Sequence, residues 1–156
     1  MKKKWLIIAT TLLLLSSSNI TFAQQKYSEV FDKVNSPQDV KNLTIPEMNT
    51  LAGDIRTAIL NKVDTVGGHL GPDLGIVEAT IALHYVFNSP KDKIVYDVSH
   101  QIYPHKILTG RKDAFVNPLS HPEITGYSNP KESEHDNFIF WRIKNVVKCN
   151  CCFNYS

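Results

Sequence analysis

Six histidines are the side chains of this 156-residue sequence best suited to proton transfer near neutral pH. His69 stands in a loop with four glycines among residues 67–75, and such a loop lets backbone approach a ligand closely. His100 directly follows a short β-rich segment, residues 94–98, and strand ends are where α/β sheets expose reactive groups. These two histidines are therefore the candidates for catalysis or ligand binding. The alternative is that His69 is an ordinary loop or capping histidine.

The spacing of histidines and cysteines does not predict a metal site. No two histidines have the three-residue gap that puts both on one helical face, and no His/Cys cluster has zinc-finger spacing. All three cysteines lie within the last eight residues, and they could bind a metal, form a disulfide or pair with another chain. We favour a tail in which they have no such role. The sequence also lacks a Gly-x-Ser-x-Gly elbow and a Walker phosphate loop.

Composition and charge exclude collagen-like, coiled-coil and low-complexity proteins and give no sign of a nucleic-acid binder. Hydrophobic residues make up 42% and charged residues 21% of the chain, which is ordinary for a globular protein of one modest domain. The formal net charge is only +2, so the sequence does not indicate a nucleic-acid partner bound by neutralising phosphates.

The first 23 residues have the pattern of a secretory signal peptide. Three lysines precede an apolar run over residues 5–15, and small residues follow up to Ala23. This run is too short to span a bilayer. We expect cleavage after Ala23 and a secreted or periplasmic protein, and the alternative is an uncut membrane anchor.

The remaining chain shows helices, one strand and long loops. Thr44 and Glu47 form the sequence signature of a capping box, and apolar residues then recur at helical spacing until Gly67. A second helix is predicted from the shared face of four apolar positions, Leu74, Val77, Ile81 and Tyr85. Residues 94–98 are predicted to form a buried strand, and a short helix should run through Leu108 with Gly110 at its C-terminal cap.

The end of the chain differs in composition from what precedes it. Residues 117–136 are rich in proline, serine and glycine and are predicted to be loop. Residues 137–156 contain no acidic side chain, five aromatic residues and the three cysteines. We therefore expect three parts, with boundaries at 1–23, 24–136 and 137–156.

Four long strings of the sequence resemble the 1-deoxy-D-xylulose-5-phosphate synthase family. They are residues 67–78 around His69, 81–87, 97–111 around His100, and 132–136. The similarity is collinear from about Ser36 to Asp136. It implies an α/β fold, here an incomplete N-terminal part of a thiamine-diphosphate-binding, transketolase-like parallel-sheet domain.

The resemblance implies a transferase that joins pyruvate to glyceraldehyde 3-phosphate, releasing carbon dioxide, for isoprenoid, thiamine and pyridoxal synthesis. Its cofactors would be thiamine diphosphate and Mg²⁺, and its location would be cytoplasmic. His69 matches the family's catalytic histidine, a proton shuttle or a hydrogen-bonding partner of the substrate. His100 matches the histidine that contacts thiamine diphosphate. Ser99 departs from the family's glycine, so its Cβ should crowd the cofactor or shift the turn.

The similarity stops after Asp136, and no Gly-Asp-Gly motif for Mg²⁺ and the diphosphate occurs in the sequence. We therefore expect a truncated form that is inactive alone. We also expect that a frameshift produced the tail and that apolar surface is left exposed. A homodimer or a complementing chain would then be the partner. The alternatives are an exported non-catalytic remnant, a small interaction module, or a secreted cysteine-tailed binding protein.

Overall fold

Two short capped helices begin the part of the chain that the computed structural model describes, residues 26–137. Helix α1 spans Glu29–Lys33 and helix α2 spans Pro37–Val40. The hydroxyl of Ser28 accepts a hydrogen bond from the first turn of α1, and Ser36 forms a capping box at the start of α2. The predicted leader and the cysteines of the predicted tail lie outside the described residues.

Helix α3, Ile45–Val66, is the longest element. The backbone N–H of Thr44 donates to the Glu47 carboxylate at 2.8 Å, which closes the predicted capping box. Gly67 ends the helix with a φ of +80°, a conformation that glycine adopts at little cost. The predicted helix between Thr44 and Gly67 is therefore confirmed. Its buried apolar residues form the centre of the core: Leu51, Ala52, Ile55, Ala58 and Ile59.

The predicted second helix is divided into two. Helix α4 spans Leu70–Gly75 and helix α5 spans Val77–Val86, with non-helical backbone at Ile76 between them. The prediction that Tyr85 shares the buried face is wrong, because this residue is 44% exposed while His84 is fully buried. Within α5, His84 lies closer than Tyr85 to the direction of Val77 at about 3.6 residues per turn, so His84 takes the buried position.

The predicted strand over residues 94–98 does not form, and no strand occurs anywhere within residues 26–137. A strand needs a neighbour to pair its backbone N–H and C=O groups. The described residues offer no second extended segment, so this stretch takes irregular structure. Its side chains still differ in environment, since Tyr96 is buried and Val95 is exposed.

Short helical segments complete the described chain. Helix α6 spans Tyr103–Lys106, a kinked π-helical turn covers Ile107–Arg111, and helix α7 spans Asp113–Val116. Gly110 has a φ of +87°, as its predicted position at a helix end requires. Beyond a single 3₁₀ turn at Pro118–Ser120, residues 117–136 have no regular element, which confirms the predicted loop.

Helix α3 lies at the centre and packs against α1, α4, α5, α6 and α7. In the described part, none of the helices is long and apolar enough to cross a membrane. Several large apolar side chains are exposed, as expected from the sequence: Ile45, Leu60, Val66, Tyr85, Val86, Phe87, Val95 and Leu119.

Candidate functional site

The structure brings His69 and His100 together. Their ring centroids are 5.5 Å apart and the rings meet edge to face, at 67°. His69 is the exposed N-cap residue of α4, and His100 is a half-buried residue of the turn before α6. Two residues that are 31 positions apart in the sequence therefore form one histidine pair at the surface.

Two glycines precede His69. Gly67 and Gly68 both have positive φ, of +80° and +148°, conformations that glycine adopts at little cost. A Cβ on Gly68 would lie 3.0 Å from the hydroxyl oxygen of Tyr103. Any larger residue at this position would have to displace that side chain, so glycine allows the loop to sit against Tyr103.

A strained turn presents His100. Val98 and Ser99 have φ values of +57° and +65°, in the left-handed region that residues with a Cβ seldom adopt. Ser99 is buried, and its hydroxyl donates to the carbonyl oxygen of Tyr96 at 3.1 Å. The structure thus accommodates the serine in a backbone conformation that favours glycine.

Asp73 links the two histidine-bearing segments. Its Oδ1 accepts a hydrogen bond from the backbone N–H of Tyr103 at 2.8 Å. Burial raises the pKa of Asp73 to about 7, although the Tyr103 N–H and the nearby charge of Lys106 act in the opposite direction. Sequence reasoning missed both residues, because an aspartate in a glycine-rich loop is more often exposed than buried.

Gln101, next to His100, adds an unused acceptor. Its Oε1 is buried and has no hydrogen-bond partner among the described residues. Burying such an oxygen costs free energy unless another group donates a hydrogen bond to it. The two rings of the histidine pair can donate and accept hydrogen bonds, and an imidazole can move a proton to or from a bound molecule.

A second group of polar side chains lies in the interior of the protein. We call it the buried charge cluster; it consists of His105, Lys106, Arg111, Glu132 and Asp136. Burial alone would raise the pKa of Asp136, but hydrogen bonds from His105 and Arg111 outweigh it and hold that pKa well below its usual range. The cluster joins the loop at residues 132–136 to the end of α6.

His84 extends this cluster towards α5. Its Nε2 is 2.9 Å from Nδ1 of His105, and the two rings are stacked with centroids 5.0 Å apart. Burial, followed by repulsion from His105, lowers the pKa of His84 to about 3. This pair is therefore neutral at physiological pH and serves the packing of the interior.

Within residues 26–137 no group of three or more His, Cys, Asp or Glu side chains is arranged to hold a metal ion. A cavity does lie beside Gly67, and its lining includes Lys62, Tyr103, His121 and Gly126 together with four apolar side chains. It shares Gly67 and Tyr103 with the surroundings of the histidine pair, but neither His69 nor His100 lines it.

Comparison with known proteins gives a consistent result. A family model described as 1-deoxy-D-xylulose-5-phosphate synthase matches residues 31–141. A protein of that name from Halothermothrix orenii is 52% identical over 107 residues, which are 69% of this chain and 17% of that protein. The chloroplastic synthase 1 of Oryza sativa is 47% identical over 116 residues, covering 74% of this chain and 16% of that protein.

A third relative, the synthase of Parabacteroides distasonis, is 44% identical over 125 residues, which are 80% of this chain and 20% of that protein. The chain thus spans about a fifth or less of the length of these curated relatives. The matched segment includes His69, His100 and the buried charge cluster. On this evidence the chain belongs to the 1-deoxy-D-xylulose-5-phosphate synthase family.

Proposed function

We propose that this chain supplies the histidine-bearing part of a 1-deoxy-D-xylulose-5-phosphate synthase site. The reaction joins pyruvate to glyceraldehyde 3-phosphate and releases carbon dioxide. The observation that carries the proposal is the His69–His100 pair, with ring centroids 5.5 Å apart, inside the segment that matches the family. Names of relatives at 44–52% identity support the same reaction.

We propose that the two imidazoles contact one end of thiamine diphosphate. Each can donate or accept a hydrogen bond, as a polar heterocycle requires. When bound, the cofactor supplies the nucleophilic carbon for decarboxylation and carbon–carbon bond formation. The sequence has no Gly-Asp-Gly motif for the diphosphate and Mg²⁺, so we propose that the ligands for this end of the cofactor are supplied by another chain.

Each histidine has a distinct role in the proposal. His69 is exposed at the N-cap of α4, where it can reach a substrate and donate or accept a proton. His100 is half-buried on the strained turn, where it can contact the cofactor and hold it in position. The parallel sheet of a transketolase-like domain is also part of the proposal, formed with residues beyond those described.

We propose that the 156-residue chain does not bind the cofactor by itself. A homodimer or a complementing chain would have to provide the metal ligands and cover the exposed apolar side chains of α5. The test is thermal unfolding of the chain with and without thiamine diphosphate and Mg²⁺. A ligand that binds only the native state raises the midpoint temperature, so we expect no shift at millimolar cofactor. A clear shift would contradict this part of the proposal.

A chimera tests the activity. The matched 107-residue segment of the Halothermothrix orenii relative is replaced by the corresponding segment of this chain. If the histidine pair and its supports are intact, the chimera should form 1-deoxy-D-xylulose 5-phosphate from the two substrates. A chimera that folds with the same circular dichroism as the parent protein but has no activity would contradict the proposal.

A non-catalytic interaction module is the second candidate. Phe87 and Val95 are 45% and 63% exposed and line one groove at the end of α5, a surface that a partner could cover. We propose that such a module would be exported, on the strength of the leader pattern in residues 1–23. N-terminal sequencing of the protein from culture medium or periplasm tests the export. An intact N-terminus in the cytoplasm would contradict it.

A further inference from the structure

We propose that Asp73 and Tyr103 are positioning residues that hold the two histidine-bearing segments in register, so that His69 and His100 face each other. The consequence for catalysis depends on the proposed function. The geometric claim does not, and it is tested below by a measurement that requires no activity.

The hydrogen bond between Asp73 and Tyr103 joins the two segments within four residues of each histidine. Asp73 lies four residues after His69, one helical turn along α4. Tyr103 lies three residues after His100 and is the first residue of α6. The 2.8 Å bond therefore fixes the start of α6 against α4 close to both rings.

The bond satisfies two groups that would otherwise be unpaired. The N–H of Tyr103 is the first amide of α6, which has no acceptor within its own helix. Asp73 is 1% exposed and Tyr103 is 4% exposed, so water cannot replace either partner. Separating the buried N–H from the buried carboxyl group would leave both without a hydrogen-bond partner, which costs free energy. The bond therefore holds the two segments at one relative position.

The side chain of Tyr103 supports the same loop from the other end. Its hydroxyl oxygen would be 3.0 Å from a Cβ on Gly68 and 3.3 Å from one on Gly126. Its ring is fixed in turn by an edge-to-face contact with Phe115, with centroids 5.1 Å apart. Tyr103 therefore contacts the residue before His69, while its backbone bonds to Asp73, four residues after it.

A purely structural aspartate would be equally buried but would have no specific effect on the histidine pair. If Asp73 is a positioning residue, removing its acceptor while the fold is kept should separate His69 from His100. If it is only structural, the pair should stay together. Asparagine retains an oxygen at the Oδ1 position, so Asp73→Asn keeps the acceptor. Leucine has a similar volume without an acceptor, so Asp73→Leu removes the bond.

The test is NMR on the full chain with isotope-labelled histidine. In the unmodified protein we expect a nuclear Overhauser contact between the rings of His69 and His100, and another between His84 and His105. The second pair is buried elsewhere in the fold, with centroids 5.0 Å apart, so it reports on folding. In Asp73→Leu the first contact should be lost and the second kept, and Asp73→Asn should keep both.

Two results would overturn the proposal. One is an Asp73→Leu protein that keeps the His69–His100 contact. The other is an Asp73→Asn protein that loses this contact while the His84–His105 contact remains. If Asp73→Leu does not fold, hydrogen exchange at the Tyr103 amide of the unmodified protein decides: slow exchange supports the bond, and exchange at the rate of a free peptide contradicts it. None of these readouts depends on the outcome of the chimera.

Discussion

The guanidinium of Arg111 donates to both carboxylate oxygens of Asp136, at 3.0 and 2.8 Å, in the interior of the protein. Such a two-pronged bond fixes direction as well as distance. It ties the loop that ends the described chain to the turn after α6, and His105 approaches the same carboxylate at 3.5 Å. The segment that carries His100 and the loop at residues 132–136 are therefore one packed unit.

Arg111→Met should strongly destabilise the protein. The substitution leaves the Asp136 carboxylate buried without its main partner, and breaking a buried pair in this way costs about 3–5 kcal/mol. Urea unfolding followed by circular dichroism measures the free energy of unfolding. The matched control is Lys33→Met, which removes the exposed Lys33–Glu29 pair and should change that free energy by less than about 0.5 kcal/mol. Equal effects of the two substitutions would show that the Arg111–Asp136 bond contributes nothing.

His84 and His121 should titrate over widely separated pH ranges. Burial lowers the pKa of His84 to about 3, so its ring should stay neutral at pH 5. Hydrogen bonds from His121 to Glu123 and to Asp113 raise the pKa of His121 above its ordinary value of 6.5. Chemical shifts of the two histidine rings between pH 4 and 8 test this, since the His84 signals should hardly move and those of His121 should titrate above pH 6.5. A His84 that protonates near 6.5 would show that this ring is in contact with water.

Ser99→Gly should cost up to about 1 kcal/mol less stability than the same substitution at an exposed serine with ordinary backbone. The left-handed backbone costs a residue with a Cβ roughly 1–2 kcal/mol, and glycine avoids this cost although it loses the hydroxyl bond to Tyr96. Ser120→Gly is the control, because Ser120 is exposed in a 3₁₀ turn with ordinary φ. There glycine only adds flexibility to the unfolded chain and should destabilise. A loss of stability of the same size in both variants would contradict the strain at Ser99.

Asp73 should make part of the stability depend on pH between about 4 and 7. Its pKa is raised from 3.8 to about 7 in the folded protein, so folding favours the protonated form. That contribution is complete below pH 3.8 and is lost as the pH rises through 7. Relative to Asp73→Asn, the unmodified protein should therefore lose unfolding free energy over this range. Parallel pH profiles of the two proteins would show that the carboxyl group ionises normally.

Features that depend on residues a few positions apart could be predicted from the sequence. The capping box at Thr44, the glycine that ends α3 and the positive φ of Gly110 all follow from interactions within a few residues. The association of His69 with His100 was foreseen only as far as the family resemblance implied a shared site. Spacing alone could not reveal it, because 31 residues separate the two rings.

Features made by distant contacts were missed. The bond from Asp73 to Tyr103 spans 30 positions, and the buried charge cluster joins α6 to residues 132–136. No local pattern marks a charged side chain as buried when its partner lies so far along the chain. The predicted strand over residues 94–98 failed for a related reason, since β propensity has an effect only where a neighbouring strand is available.

The most direct test of the central claim is the turnover number of the chimeric synthase with His69→Ala. Removal of a group that transfers a proton in the reaction typically costs 10²–10⁴-fold in rate. We expect kcat to fall by at least about 10²-fold, while Lys131→Ala, at an exposed side chain of the loop at residues 117–136, should leave kcat unchanged. If His69→Ala turns over as fast as the Lys131→Ala control, then the His69–His100 pair is not the reacting part of the site.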